Sequence, residues 1–421
     1  MKKVFLLLAT LLMVALSISL VACTKTTESN KTTTKEQTTE SSKSTEKDTT
    51  VEGTTLSYTI NVYDIDGEKL DSKTLTTNDY PTVLDALEDE FYLFSEESQY
   101  GTNIISLSGS VIDPNWYMAI YENGAYASTG VDGLVIDEGD VFDFKMECWN
   151  TKESGYGAFD SYDVLVDKAI YHYAKTYMVD MIKKDTTFKG SNYWTYMAIN
   201  MMATNGYDTD VFHGLDSTEE FFSTLTDADF SSFSQADWGK YYYTARALDK
   251  NLDEFITAYT EHVNSGLPEG FSEYGEYSIP FEVAPAKALN LTSDNLSAII
   301  ATEYKASTEW GIDGLGWEVA ALQLWDKYEK SALSDFPLTD QGNATSTALI
   351  LMVYAAFGES PRTETEDLIK TLFDTYYDQD LQLVKYAPTD TDVNVSTNQI
   401  YAYLMAYKVS RDLNKAVNLF A

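Results

Sequence analysis

An Ala-rich, almost wholly apolar helix recurs six times in the C-terminal two thirds of this chain. Its copies are residues 191–206 (SNYWTYMAINMMATNG), 235–251 (QADWGKYYYTARALDKN), 279–291 (IPFEVAPAKALNL), 314–330 (GLGWEVAALQLWDKYEK), 344–358 (ATSTALILMVYAAFG) and 395–408 (VSTNQIYAYLMAYK). Their starts lie 44, 44, 35, 30 and 51 residues apart. A period in this range means a repeat architecture. A helix apolar on every side must be covered on every side. Amphipathic helices accompany the copies: 162–182 ahead of the first, and 252–263, 293–307 and 365–377 between later ones. Ser293 with Asn295 and Thr363 with Glu366 read as helix starts, and Gly206 and Gly358 as helix ends. Short connections make neighbours antiparallel. The expectation is a closed double layer over 158–421, an α6/α6 toroid with the apolar helices inside.

Ahead of it, residues 54–150 read as a small α+β domain. Leu56, Tyr58, Ile60 and Val62 alternate onto one strand face, and Asp66-Gly67 supplies a hairpin turn. A short helix follows Pro81, and later strands run through Ile104–Leu107, Trp116–Tyr121 and Val141–Phe144. The fold class expected is therefore multidomain α and α+β.

Residues 1–22 read as a signal peptide. Lys2 and Lys3 precede the apolar run from Val4 to Leu20, which ends in Leu20-Val21-Ala22-Cys23. This resembles a bacterial lipoprotein signal, and the resemblance implies acylation of Cys23 and an extracytoplasmic, lipid-anchored protein. Residues 23–53 then form a tether. Over 24–50 there is no aromatic or large aliphatic side chain, and five Lys balance five acidic residues, so this segment cannot bury enough surface to fold. The formal net charge of the whole chain is −37. That argues against nucleic acid, because a phosphate-binding face needs clustered Lys and Arg. With Cys23 lipidated, Cys148 is the only other cysteine, a small buried residue by expectation, and no intramolecular disulfide can form.

Several enzyme signatures are missing. There is no D-x-D-D, D-D-x-x-D, C-G-E-Q or G-x-S-x-G, and no P-loop or dinucleotide glycine pattern. The three histidines, His172, His213 and His262, are too scattered for a zinc site. Asp390, Asp392 and Asn394 have the spacing of half a calcium loop, without its Gly and terminal Glu. A glycosidase would draw on Asp237, Glu309, Asp313 or Asp340 near inner-helix starts. No catalytic group or metal ligand is assigned, and the expectation is a binding protein without a built-in cofactor.

The order TVLDAL, I-x-SLSG, WYMAIYENG, GLVIDEGDVFDF in the first domain resembles the transcobalamin-like C-terminal domain. WTYMAINMMATNG, ATSTALILMVYAAFG and STNQIYAYLMAY resemble the inner helices of the terpenoid cyclase and protein prenyltransferase toroid, in the form used by the cobalamin carriers. The domain order is reversed relative to those carriers. The resemblance implies capture of cobalamin or a related corrinoid between the two domains, with a membrane transporter as partner. Aromatic side chains at the starts of the inner helices (Tyr193, Trp194, Trp238, Tyr242, Trp310, Trp317) would line the ring's mouth. Asn398 and Gln399 would add amide groups, and Trp116, Tyr117, Asn123 and Tyr126 would face them from the β domain. A surface adhesion protein binding protein or glycan is the alternative, and a glycoside hydrolase the second alternative.

Overall fold

A computed structural model describes residues 54–421, apart from 156, 185–186, 191, 208, 210–224, 227, 266–270, 302–310, 361–362, 392 and 394. Cys23 and the tether, His213, Glu309, Trp310, Asp392 and Asn394 therefore lie outside the described residues.

The chain enters as strand β1 (Ser57–Tyr63), with Tyr58, Ile60 and Val62 buried on the face the alternation assigns to the core. The Asp66-Gly67 turn, with Gly67 at φ 86°, folds β2 (Lys69–Thr76) back antiparallel. Helix α1 spans Val83–Glu90. Its N-cap is Thr82, whose side chain and that of Asp85 satisfy each other's backbone N–H groups, so capping sets the start rather than Pro81. Strands β3 (Phe94–Ser98) and β4 (Gly101–Ser106) form a separate hairpin. β5 (Trp116–Glu122), β6 (Ala125–Tyr126) and β7 (Val141–Cys148) complete a sheet of order β2-β1-β7-β5-β6, in which only β1 and β7 run parallel. Asn123 (φ 52°) and Gly124 (φ 82°) make the tight turn between β5 and β6.

The helical part begins with α2 (Ser161–Tyr173), capped by a reciprocal pair of Asp160 and Asp163. It passes through a π turn at Ala174–Met178 into α3 (Val179–Lys184). Then come α4 (Tyr193–Thr204), α5 (Gln235–Ala247), α6 (Asp253–Ser265), α7 (Phe271–Ala288) and α8 (Asp294–Ala301). The last are α9 (Gly311–Gln323), α10 (Ala344–Ala356), α11 (Thr363–Tyr376) and α12 (Val395–Leu413), with the small hairpin β8 (Tyr377–Asp378) and β9 (Leu383–Val384) before α12.

The six apolar helices close into a ring. α4 packs on α5, α5 on α7, α7 on α9, α9 on α10, α10 on α12, and α12 returns to α4. Outside them, α2 packs on α12 and α11, α11 on α10, and α8 on α6 and α7. Every residue of α10 is buried, as an all-apolar helix in an inner layer must be. The α/α toroid following a small β-rich domain is thus the observed fold class. One boundary differs from the sequence pattern: α7 starts at Phe271 and runs through both Pro280 and Pro285, where the repeat suggested a start at 279. Where α5 crosses α7, Gly239 lets the backbones meet, since a Cβ there would lie 2.5 Å from the Phe281 Cα.

The ring is not hollow at mid-height. Trp194 of α4 meets Phe281 of α7, Trp317 of α9 and Tyr403 of α12, with ring centroids 6.5, 5.9 and 5.4 Å away. The C-terminal tail closes the far end. Val417 N–H donates to the Ala355 carbonyl, Asn418 to the Ala320 carbonyl, and the Tyr243 hydroxyl to the Phe420 carbonyl. These carbonyls and the tyrosine belong to the C-terminal halves of α10, α9 and α5, and Phe420 is fully buried beneath Trp194 at 6.4 Å.

Candidate functional site

The sheet meets the helical part through ions taken out of water. Asp113, just before β5, lies 2.8 Å from Lys408 Nζ of α12. Lys408 also reaches Asp412 at 2.8 Å and Asp167 of α2 at 3.3 Å. Arg411 forms ion pairs with Asp163, Asp167 and Asp412 at 3.1, 2.6 and 2.7 Å. Four carboxylates share two cations. Burial pushes the Asp167 carboxyl up despite Arg411 and Lys408, whereas for Asp412 those two cations outweigh burial and hold it down at about 2. Trp116 joins this cluster by donating from Nε1 to Asp167 at 3.0 Å. A second contact sets Lys175, in the π turn, 3.1 Å from both Asp64 and Asp66 at the β1–β2 turn. His172 stands 3.7 Å from Asp66.

These contacts fix where the sheet sits. They run along α2 from Asp167 to the π turn that follows it and use the last turns of α12, whereas Asn398 and Gln399 lie at the opposite end of α12. The sheet is thus docked on the outer helix α2 and on the far end of the ring. Trp116 is at that junction, but Asn123 is at the other end of β5, where its side chain donates to Asp140 and accepts from Val141 N–H. Tyr117 and Tyr126 stand on the solvent side of the sheet, their hydroxyls 3.4 Å apart.

The ring residues form a separate set. Tyr193, Trp194, Trp238, Tyr242 and Trp317 are all buried. They fill the interior rather than line an open mouth, because interiors pack to the density of organic crystals and six close helices leave an axis only aromatic rings wide. Trp317 Nε1 and Gln399 Nε2 both donate to the Tyr403 hydroxyl, at 2.7 and 2.6 Å. Asn398 accepts from Tyr173 at 2.6 Å and donates to Asn192. Trp238 stacks on His262 at 4.6 Å, and His262 Nε2 reaches both oxygens of buried Glu282, whose carboxyl burial pushes up. The structure does not bring the ring residues and the sheet residues to one surface.

The acids proposed for glycosidase work hold local partners. Asp237 caps the start of α5 and pairs with Lys189 at 3.2 Å. Asp313 accepts from Ser346 at 3.1 Å, with burial pushing its carboxyl up. Burial opposes the hydrogen bonds from Tyr376, Gly342 and Thr347 at Asp340, and the bonds prevail, holding it below the usual carboxylate range. Asp390 accepts from the Ala387 N–H within its own loop. Among the described residues, no three His, Cys, Asp or Glu side chains converge as metal ligands. No described helix is long and apolar enough to cross a membrane.

One cavity is lined from both sides of the junction. It has a volume of about 320 Å³, with Trp116, Met146 and Cys148 on the sheet side, Val164 and Lys168 on α2, and Phe159 on the linking segment. Burial raises the Cys148 thiol to about 11, so it is protonated and inert at neutral pH. Arg411 stacks on Phe159 at 3.9 Å and pins that ring at the cleft's edge. Phe159 and Lys168 were missed in the sequence because Phe159 lies in the linking segment and Lys168 on an outer amphipathic helix, neither beside a motif. The ion cluster did leave a trace there: Lys408, Arg411 and Asp412 follow the apolar run 400–407 within one helix, and a cation in such a helix needs buried partners.

No family model matches the chain, and no curated protein matches it. Among solved structures, 22% of this chain is similar to 97% of a Ruminococcus gnavus ATCC 29149 protein provisionally described as metal binding, at 21% identity and a TM-score of 0.21.

Proposed function

We propose that this chain is an exported binding protein, lipid-tethered through Cys23, that captures cobalamin or a related corrinoid where the sheet meets the helical ring and presents it to a membrane transporter. The observation that carries the proposal is the junction cleft lined from both sides, by Trp116 of the sheet and by Phe159 of the linking segment. A rigid two-sided wall suits ligand capture, because little ordering remains to be done on binding. The buried ion cluster supplies that rigidity. At about 320 Å³ the cleft sits at the small end of ligand pockets. It takes one edge of a corrinoid, and the rest of the macrocycle lies over the rim. The glycosidase reading has less support, since Asp237 and Asp340 are tied up in capping and hydrogen bonding.

The test uses the purified chain mixed with cyanocobalamin at micromolar concentration and desalted. Retained visible absorbance near one equivalent is expected, and Phe159→Ala should weaken retention by about tenfold, the worth of one aromatic face. Complete loss of colour from the wild-type chain on desalting would overturn the proposal.

A further inference from the structure

We propose that the rim of strand β5 is a second binding site, for a neutral glycan chain, separate from the junction cleft. A cavity of about 350 Å³ lies beside β5, between β4 and the segment that follows β6. Every side chain lining it is uncharged. On a chain with 66 acidic and 29 basic residues that is a distinct patch, and the acids beside it, Asp132 and Glu147, are taken up by Thr102 and by Tyr117 and Tyr121. Two tyrosines stand at its edge, Tyr117 at 36% and Tyr126 at 60% exposure. Asn103, Ser128 and Thr129 also line it, their side chains exposed to solvent.

A pyranose has apolar C–H faces and a fringe of neutral hydroxyls. Exposed aromatic faces beside solvent-exposed amide and hydroxyl groups match both features. The platform is also held in shape. Glu147 accepts from the hydroxyls of Tyr121 at 2.5 Å and Tyr117 at 3.4 Å, and the Tyr121 ring meets Tyr126 edge-on at 5.5 Å. The hydrogen bond to Glu147 raises the Tyr121 phenol to about 12, and burial raises Tyr117, so both remain neutral hydroxyl groups. Rings fixed before binding lose little freedom when a sugar stacks on them.

Titration calorimetry of the whole chain with cellohexaose, xylohexaose, mannohexaose and maltohexaose tests the site. Saturable binding of at least one at millimolar affinity or better is expected. Tyr126→Ala should weaken it about tenfold, with only a small drop in melting temperature from the lost edge contact with Tyr121, and solvent-facing Asn103→Ala by a smaller factor with the melting temperature unchanged. Tyr117→Phe keeps the ring and should keep most of the affinity, which separates stacking from structural damage. Absence of binding by all four probes, or binding undiminished in Tyr126→Ala, overturns the inference. The corrinoid proposal is read separately: Tyr126→Ala should retain cyanocobalamin as the wild type does. Loss of that colour in Tyr126→Ala would reassign the rim to the corrinoid and also overturn the glycan site.

Discussion

Trp116 illustrates how one residue can be legible by type and illegible by role. The resemblance implied a ligand contact for it, and its side chain lines the junction cleft. Its indole N–H is spent on Asp167 inside the junction. Trp116→Phe leaves that carboxylate short of a donor in a buried site, and should lower stability by about 1–3 kcal/mol, read as a lower melting temperature. Asp412 carries a pH signature. Its folded pKa of about 2 lies below the unfolded value near 3.9. Its contribution is therefore fully present above about pH 4 and is lost as pH falls toward 2. Asp66 acts in the same direction, its burial outweighed by hydrogen bonds and Lys175. Asp167, with a raised pKa, acts oppositely. The melting temperature should drop on acidification below pH 4, and Asp412→Asn should be less stable at pH 7 but show a shallower acid slope. An unchanged slope would remove Asp412 from this account.

Among the elements, the periodic apolar helices were the most readable part, because burial on all sides imposes a composition that no surface helix shares. What the pattern hid was how closely they approach. Gly239 faces backbone of α7, with the Phe281 Cα 2.5 Å from a built Cβ. Gly316 faces the Leu349 side chain at 2.6 Å, which can turn aside. Gly239→Ala should therefore cost about 1–3 kcal/mol and Gly316→Ala clearly less, compared by denaturant unfolding. Equal costs would mean that the α5–α7 crossing relaxes freely. The two prolines in α7 show the converse. They mark a helix break in isolated sequence, but the neighbouring inner helices hold α7 continuous around them.

Sheet and ring belong to one compact unit, Thr54–Ala421. Sheet and ring share buried charges that neither could leave exposed to an apolar neighbour without cost. Calorimetry should accordingly show a single unfolding transition, and two resolved transitions would show the junction to be weaker than its geometry indicates. The tail matters at this scale as well. Phe420 seals the far end of the ring beneath Trp194, and Phe420→Ala should cost about 3–5 kcal/mol through the cavity it leaves, measured in the same melts.

The sequence by itself determined the apolar helices, the main sheet strands β1, β5 and β7, and that six apolar helices must cover one another, because periodicity and burial are local consequences of side-chain type; the short hairpins and the early start of α7 left no such pattern. The turn at Asn123-Gly124 likewise follows from backbone preference, whereas Tyr117 and Tyr126, expected to face the ring, stand exposed on the sheet instead. Only the tertiary structure decided that the aromatic residues at the helix starts fill the ring's axis, and that the sheet sits on α2 and the end of α12. Those outcomes depend on interhelical distance and on charges more than two hundred residues apart finding one another, as Asp163 and Arg411 do. Neither quantity is written in any local window of the chain.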